Sequence, residues 1–375
     1  MSLRKLACFL PLVRVGESGY VSNPLLEPLQ IGCWKMRKPV RLKDIAEEAG
    51  VSIATVSLVL NGSDKVSVDT RNSVLEIARR LKYVPKSRFQ SRGARNGAIV
   101  GFVVPDVTNS FYAELAGHVA TALQKHEVSL VLCNTNLNAD LEQRYIEMAK
   151  SGFMDAVIFA SSGNVCPSVS ENDIRKLHTN YLPVLAVHRE TEFGLIPTVD
   201  SDRRNGMLKV VNHLVELGHK KIAFMGGYNE EGDCATLLSG FMAGMEMAGL
   251  AVRKEFVLDG RYCIEGGYNQ TMALLKSSLQ PTAIACANDF MACGALRAIK
   301  GRGLSVPHDI AVTGFDNSKL AQYSTPSLTS VDLCVADVGS TVANTIAAML
   351  KKESVPAMQV YPTRLVKRES TLGSL

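Results

Sequence analysis

The chain has 375 residues, of which 46% are hydrophobic and 21% charged, and its formal net charge is +5. A chain of this length exceeds one ordinary core, so we expect two or three domains, and its apolar content excludes disorder throughout. Nine cysteines, an odd number without Cys-x-x-Cys or Cys/His metal spacing, predict reduced thiols in a cytoplasmic protein and no metal site. No stretch approaches the ~20 apolar residues that a membrane span requires.

Positive charge is concentrated near the start of the chain. Residues 36–96 contain 13 Lys and Arg against 6 Asp and Glu, whereas the chain after them has more acidic than basic residues. A basic block that precedes an acidic body is typical of a nucleic-acid-binding module joined to a second binding unit. An ordinary solvated basic surface is the alternative.

Residues 1–36 imitate a weak signal peptide, because Arg4 and Lys5 precede a short apolar run. Pro11 interrupts that run, and no small-x-small cleavage site follows it. We interpret the segment as a disordered extension or as residues upstream of a natural start at Met36, with an export signal as the alternative.

The basic block predicts three short helices over residues 37–84. Gly50 supplies a left-handed turn after the first helix, Ser52 can cap the second, and Ser67 or Asp69 can cap the third. Two helices joined by a four-residue turn with glycine form a helix-turn-helix, although any three-helix bundle would share this periodicity. The apolar positions that recur at helical spacing are Leu42, Ile45, Ala46, Ala49, Val56, Val59, Leu60, Val74, Ile77, Ala78 and Leu81.

The second of these helices exposes small and apolar residues. Ile53, Ala54 and Leu58 could meet thymine methyl groups in a DNA groove, while Thr55 and Ser57 could contact phosphates. The cations lie on the rim around this neutral helix, where we expect them to hold the DNA backbone.

From Ala98 onward, short apolar runs alternate with helical segments at a spacing of about thirty residues, which predicts doubly wound parallel sheets covered by helices. A bend near residues 197–202 and a helix around residues 336–351 favour two lobes over one large sheet. We predict a hinge at 85–97 and a core at 98–375, with a first lobe of about 98–197 and 330–354 and a second lobe of about 198–329 and 355–375. The seven runs are IVGFVV, SLVLC, DAVIFA, PVLAV, KIAFMG, TAIACA and IAVTGF.

The stretches VRLKDIAEEAGVSIATVSLVLNG and VSVDTRNSVLEIARRLKYVP resemble the DNA-binding head of the lactose-repressor/galactose-repressor family. The resemblance implies that Ile53 and Ala54 read bases and that the polar residues around them contact the backbone. It also implies a homodimer, or a tetramer, on a near-palindromic operator. The predicted DNA-binding residues are Ser52, Ile53, Ala54, Thr55, Ser57, Leu58, Asn61, Lys65, Thr70 and Arg92.

Two positions depart from the family pattern. Leu58 stands where many members carry an arginine that reads guanine, so we expect a different operator at that point. In the hinge PKSRFQSR, Arg92 replaces the leucine that wedges into the minor groove, and an arginine enters a narrow groove by electrostatics instead.

The acidic body is similar to the core of the same family and to periplasmic sugar-binding proteins. The matching segments include IVGFVVPDVTNSFY, HLVELGHKKIAFMGG and PTAIACANDFMACGALRAIKGRGLSVPHDIAVTGFDN, and the resemblance extends from Val40 to about Ser370. It implies a small effector, a sugar or a sugar phosphate, bound between the lobes, where it controls operator affinity with no cofactor.

Strand ends and the family resemblance give the candidate effector-binding residues. Carboxylates, an arginine fork and aromatic rings are the groups that bind polyols, and Asp289 is implied as the main acceptor of effector hydroxyls. An arginine after TVDS also belongs, either Arg203 or Arg204. The full set is Asp106, Phe111, Tyr112, His188, Arg189, Arg203, Arg204, Asp289 and Asp316.

Simpler roles are open for several of these residues. Asp289 and Asp316 could be helix N-caps, His188 a satisfied strand-end histidine, and the two aromatic residues part of the core. Leu237 stands where the family commonly has an arginine, which predicts a more apolar pocket.

The alternative function is a doubly wound enzyme that acts on a sugar or nucleotide and carries an accessory DNA-binding head. The chain contains no phosphate-binding loop, no strand-linked Gly-x-Gly-x-x-Gly and no Gly-x-Ser-x-Gly, so we predict no catalytic residues. An exported sugar-binding protein would have no use for the head.

Overall fold

The structure is a computed structural model, and it describes residues 40–60, 63, 65–81, 83, 97–160, 171–180, 182–188, 196–227 and 233–373. The predictions made for residues 1–36 and most of the hinge, and for Asn61, Arg92 and Arg189, lie outside the described residues.

The head is a three-helix unit around one small core. Its helices are α1 (Leu42–Ala49), α2 (Ile53–Leu60) and α3 (Val68–Arg80). Gly50 has φ +63°, a left-handed conformation that glycine adopts without strain, and its N–H donates to the carbonyl of Ala46. Ser67 caps α3 by accepting the N–H of Thr70. The buried side chains Ile45, Ala46, Val56, Val59, Val74, Ile77 and Ala78 form the core, as the helical spacing predicted.

The first lobe is a six-stranded sheet covered by helices on both faces. In chain order it begins with β1 (Ala98–Val104), α4 (Ser110–Gln124), β2 (Val128–Asn134), α5 (Ala139–Lys150), β3 (Ala156–Phe159), α6 (Glu171–Asn180), β4 (Val184–Val187) and β5 (Thr198–Ser201). Every residue of β3 and β4 is buried, which is the pattern of a parallel sheet with both faces covered.

The second lobe is built around a four-stranded parallel sheet with strand order β7-β6-β8-β9. A short 3₁₀ turn, Lys254–Phe256, precedes β7. The elements of the second lobe are α7 (Arg203–Glu216), β6 (Ile222–Gly226), α8 (Asp233–Met247), β7 (Val257–Asp259), α9 (Ile264–Lys276), β8 (Ala283–Cys286), α10 (Asp289–Gly301), β9 (Ala311–Thr313) and α11 (Lys319–Tyr323).

The end of the chain returns to the first lobe and then leaves it again. Its elements are β10 (Ser330–Asp332), α12 (Val335–Leu350), β11 (Met358–Tyr361), β12 (Arg364–Val366) and α13 (Glu369–Leu372). α12 packs on α4, and β11 pairs with β5 at the edge of the first sheet, whose order is β11-β5-β4-β3-β1-β2. β10 and β12 pair antiparallel.

The predicted fold class is confirmed, but three lobe boundaries need correction. The boundary at 329/330 falls too early, because β10 pairs with β12 and Asp332 bridges to Asp316 of the second lobe. Residues 198–201 and 358–361 belong to the first sheet, so the boundaries at 197/198 and 354/355 each fall one strand too early. Pro197 precedes a strand, and the chain leaves the lobe at Asp202. The second departure comes after Tyr361, at Pro362.

No helix of the described residues is long and apolar enough to cross a bilayer. Within the same part of the chain, the cysteines are free thiols, and no cluster of three His, Cys, Asp or Glu side chains could hold a metal.

Candidate functional site

The exposed face of α2 is neutral and partly apolar. Ile53 is 48% exposed and Leu58 40% exposed, and Ala54 lies between them on the surface. Val56 and Val59 occupy the opposite face and are buried in the head core. The core therefore fixes which side of α2 is presented to a partner.

Polar groups surround the start of α2 and the start of α3. The hydroxyl of Ser52 accepts the N–H of Thr55 at 3.1 Å and lies 2.9 Å from the Thr55 hydroxyl. At α3, the Ser67 hydroxyl donates to Thr70 Oγ1 at 2.8 Å. Lys65, between the two helices, is exposed. These groups are of the types that contact phosphates.

Arg71 and Arg80 on α3 each contact another segment of the head. Arg71 donates to the carbonyl of Ser63 at 2.7 Å, and Arg80 pairs with Glu48 on α1. Three predicted phosphate contacts, Thr55, Ser57 and Thr70, are half-buried, and Thr55 and Thr70 form local hydrogen bonds.

A cleft that encloses about 450 Å³ of empty space, open solvent included, lies between the two lobes. The first lobe contributes aromatic rings and an amide, and the second contributes an arginine, a carboxylate, an amide and two further aromatic rings. Its lining residues are Asn109, Phe111, Tyr112, His188, Arg203, Leu237, Tyr262, Ala287, Asn288, Phe315, Asp316 and Leu333. This is the edge at which parallel sheets place ligands.

The first-lobe wall is an aromatic cluster at the start of α4. Phe111 stacks on His188 with ring centroids 5.3 Å apart and planes 17° apart, and its ring meets Tyr112 edge-on at 5.1 Å. His188 follows β4 directly, has φ +48° and is 5% exposed. Burial lowers the pKa of His188 to about 4, with Arg203 acting in the same direction and Asp200 against it, so the ring is neutral at pH 7.

Arg203 enters the cleft at the start of α7 and is held by Asp200. Its Nε and one terminal nitrogen donate to the two oxygens of Asp200 at 3.1 and 3.2 Å. Arg203 is 5% exposed, so this fork fixes the guanidinium plane. Arg204, the alternative in the sequence, instead donates to Ser239 at 2.9 Å and does not line the cleft.

Asp289 lies behind the cleft wall. It is 1% exposed and accepts three hydrogen bonds, from the N–H and hydroxyl of Ser318, each at 2.8 Å, and from the hydroxyl of Ser330 at 2.6 Å. Burial raises its pKa to about 6, opposed by the hydrogen bonds from Ser330 and Ser318 and by the charge of Arg368. The preceding Asn288 lines the cleft in its place.

Of the two other predicted carboxylates, one lines the cleft and one does not. Asp316 lines the cleft with φ +98°, next to Asn317 with φ +52°. Asp106 does not reach the lining, because its Oδ1 accepts the N–H and hydroxyl of Thr108 at 2.8 and 2.7 Å. On the described residues the predicted set therefore meets as Phe111, Tyr112, His188, Arg203 and Asp316.

Comparison with known proteins decides the family. Residues 41–86 match the model of "Bacterial regulatory proteins, lacI family", and residues 211–371 match a "Periplasmic binding protein-like domain". Catabolite control protein A of Priestia megaterium is 34% identical over 334 residues, which cover 88% of this chain and 99% of that protein. The chain belongs to the lacI family.

Solved structures agree with this membership. A complex of the transcriptional regulator CelR with cellobiose is 27% identical, with a TM-score of 0.66 over 88% of this chain and 99% of that one. The lac repressor dimer bound to operator and an anti-inducer is 25% identical, with a TM-score of 0.65 over 89% and 99% of the two chains. This lacI-family chain is a DNA-binding transcriptional regulator, as the head and the two-lobed core predicted.

Sequence reasoning missed part of the regulator's cleft. Asn109 caps α4, and Tyr262 follows β7 in a left-handed conformation with φ +54°. Neither residue stands at the end of a predicted strand, so no pattern marked them, although the Asn109 cap signal N-S-F-Y is visible in the sequence. Leu237 lines the cleft at the position where the family commonly has an arginine.

Proposed function

We propose that this regulator binds a small carbohydrate in the cleft between its lobes and that occupancy changes its affinity for a near-palindromic operator. It acts as a homodimer in the cytoplasm, where two heads engage two half-sites in register. The ligand is bound and not transformed, so the chain has no catalytic residues. The sign of the response, induction or corepression, follows from which lobe arrangement the ligand favours.

The chemistry of the cleft wall carries this proposal. Stacked rings at Phe111 and His188 offer a flat surface, and the cleft lining adds the guanidinium of Arg203, oriented by its fork to Asp200, and the carboxylate of Asp316. An aromatic face together with polar groups matches a sugar ring, which is apolar on its faces and carries hydroxyls at its edge. CelR, a structural relative, binds cellobiose.

The role of α2 supports the operator half of the proposal. Ile53, Ala54 and Leu58 form a close-fitting neutral face for base edges, and Ser52, Thr55, Ser57, Lys65 and Thr70 are the proposed backbone contacts. For Asn61 and Arg92 we propose DNA contacts, and for Arg189 an effector contact, on the basis of the sequence resemblance.

The test uses the purified full-length protein in two steps. Selection from a random duplex pool is expected to enrich a two-fold repeated site. A thermal-shift screen of cellobiose, ribose, maltose and their phosphates is then expected to find one sugar that raises the melting temperature, because a ligand of the folded state stabilises it. That sugar should change operator affinity by roughly 5- to 150-fold.

The DNA-binding part and the carbohydrate-binding part of the proposal can be contradicted independently. Enrichment of a repeated site with no response to any sugar would leave the DNA function and remove the carbohydrate. A sugar that binds without changing operator affinity would remove the coupling between cleft and head.

A further inference from the structure

The hydrogen-bond partners of His188 determine which ring nitrogen carries its proton. Ser201 Oγ lies 2.8 Å from the backbone oxygen of Leu333 and 3.1 Å from His188 Nε2. A carbonyl oxygen can only accept, so the single hydrogen of the Ser201 hydroxyl goes to Leu333. His188 Nε2 must therefore donate to Ser201, and the neutral ring leaves Nδ1 without a proton.

Neighbouring charges do not provide a competing partner for Nε2. Asp200 Oδ1 is 3.9 Å from Nε2, beyond hydrogen-bonding distance. The Asp200 oxygens instead accept from Arg203 and from the N–H of Ser201 at 2.7 Å. The positive charge of Arg203 also opposes a second proton on the ring.

Ser201 stands where the chain passes between lobes. It ends β5, at the first passage, and Leu333 follows β10, at the second. Ser201 is 3% exposed, and Leu333 is itself part of the cleft wall. The two hydrogen bonds thus tie a ring in the cleft to two of the three passages between the lobes.

We propose that Ser201 is a specificity-determining residue of the effector site, because it holds His188 as the Nε2–H tautomer and leaves Nδ1 as an acceptor for an effector hydroxyl. The proposal rests on the proposed binding of a carbohydrate in this cleft. Among the described residues, Nδ1 has no hydrogen-bond partner, and the ring lines the cleft. A hydroxyl that donates to Nδ1 is favoured, and an analogue that carries fluorine at that position, which cannot donate, is rejected.

The tautomer is measured directly on the full-length protein. A long-range ¹H–¹⁵N spectrum of the histidine side chains, with His188 assigned from the H188Q variant, is expected to show an Nε2–H ring at pH 7. The S201A variant should give a mixture of tautomers, because the acceptor for Nε2 is removed. A wild-type ring with the proton on Nδ1, or on both nitrogens, would overturn the proposal whatever ligand the cleft binds.

Ligand titrations test the consequence for specificity. Calorimetry with cellobiose, ribose and their monodeoxyfluoro analogues is expected to show one position where fluorine lowers affinity about tenfold in the wild type. S201A should lose affinity for the parent sugar by about 3- to 10-fold and discriminate less at that position. S239A is the matched control, because Ser239 contacts Arg204 outside the cleft, and it should leave both values unchanged.

The outcomes separate the two proposals. An Nε2–H ring in a protein that binds none of the screened sugars would support the tautomer assignment while contradicting the carbohydrate proposal. Binding with equal affinity for every fluorinated analogue would show that Nδ1 accepts nothing from the ligand and would overturn the role of Ser201 in specificity.

Discussion

Asp289 has both carboxylate oxygens engaged inside the second lobe. Its three donors belong to Ser318 and Ser330, and Ser330 Oγ also accepts the N–H of Asn317 at 3.0 Å. Asp316 and Asn317 both have positive φ, a conformation that costs energy for residues other than glycine. The buried carboxylate therefore stabilises the turn that places Asp316 in the cleft.

We expect Asp289→Ala to lower the free energy of unfolding by about 2–4 kcal/mol, because it leaves three donors unsatisfied in the interior. Urea unfolding of the full-length protein at pH 7 measures the change. Asp106→Ala is the matched control, since its two bonds are local and partly exposed, and about 1 kcal/mol or less is expected there. If Asp289→Ala abolishes the sugar response at unchanged stability, Asp289 is a direct effector contact, as its strand-end position first indicated.

The residues of the site differ in how far the sequence could place them. His188 was found because it follows a strand and the carboxyl ends of parallel strands meet at one edge, whereas Phe111 and Tyr112 were implied by the family resemblance. Asn288 and Asp289 share such an end, and only side-chain packing decides which of them faces the cleft. Arg203 and Arg204 are adjacent, and the position of Asp200 selects Arg203.

At the scale of elements, single residues in the sequence were sufficient to predict turns and helix caps, because each of these residues has one physical role. Gly50, Ser52 and Ser67 mark turns and caps by their own chemistry, and the structure has all three. β5 and the edge strand β11 were assigned to the wrong lobe, because both are short and they pair with each other across about 160 residues of sequence. Such a pairing leaves no periodicity in either segment.

The head elements predict two kinds of DNA-binding variant. Ile53→Ser or Ala54→Ser should change which sequence is preferred, by about 1–3 kcal/mol at one base pair, because these side chains face base edges. Lys65→Ala should weaken binding to all sequences and reduce the salt slope by about 1, since it removes one phosphate contact. Fluorescence titrations against operator and scrambled duplexes at several salt concentrations measure both effects.

Lys300→Ala is the control for this pair of variants. Lys300 is an exposed cation on α10 of the second lobe, so its loss changes net charge equally without touching the head. Equal losses on operator and scrambled duplexes for every head variant would contradict the assignment of α2 to base reading.

At the scale of the whole molecule, both lobes bury titratable groups whose pKa values burial shifts in the direction of the uncharged form. In the first lobe, His178 Nδ1 accepts the N–H of Val184 at 3.0 Å, which a protonated Nδ1 could not do. Burial lowers the pKa of His178 and of His188 to about 4. Asp289 shifts the other way, to about 6, for the same physical reason.

These shifts predict a loss of stability in acid. Between pH 6.5 and 4 the unfolded chain protonates both histidines and the folded chain does not, so each should lower the free energy of unfolding by about 2 kcal/mol from pH 7.5 to pH 5. Asp289 takes up its proton in the folded state over part of this range and opposes the loss by about 1 kcal/mol. Urea unfolding of the core at the two pH values should therefore show a net decrease in the free energy of unfolding.

The His178→Gln variant is expected to be less stable than the wild type at pH 7.5. It should lose less stability on acidification, because glutamine does not titrate. A decrease as steep in His178→Gln as in the wild type would show that the acid sensitivity of the first lobe originates outside His178.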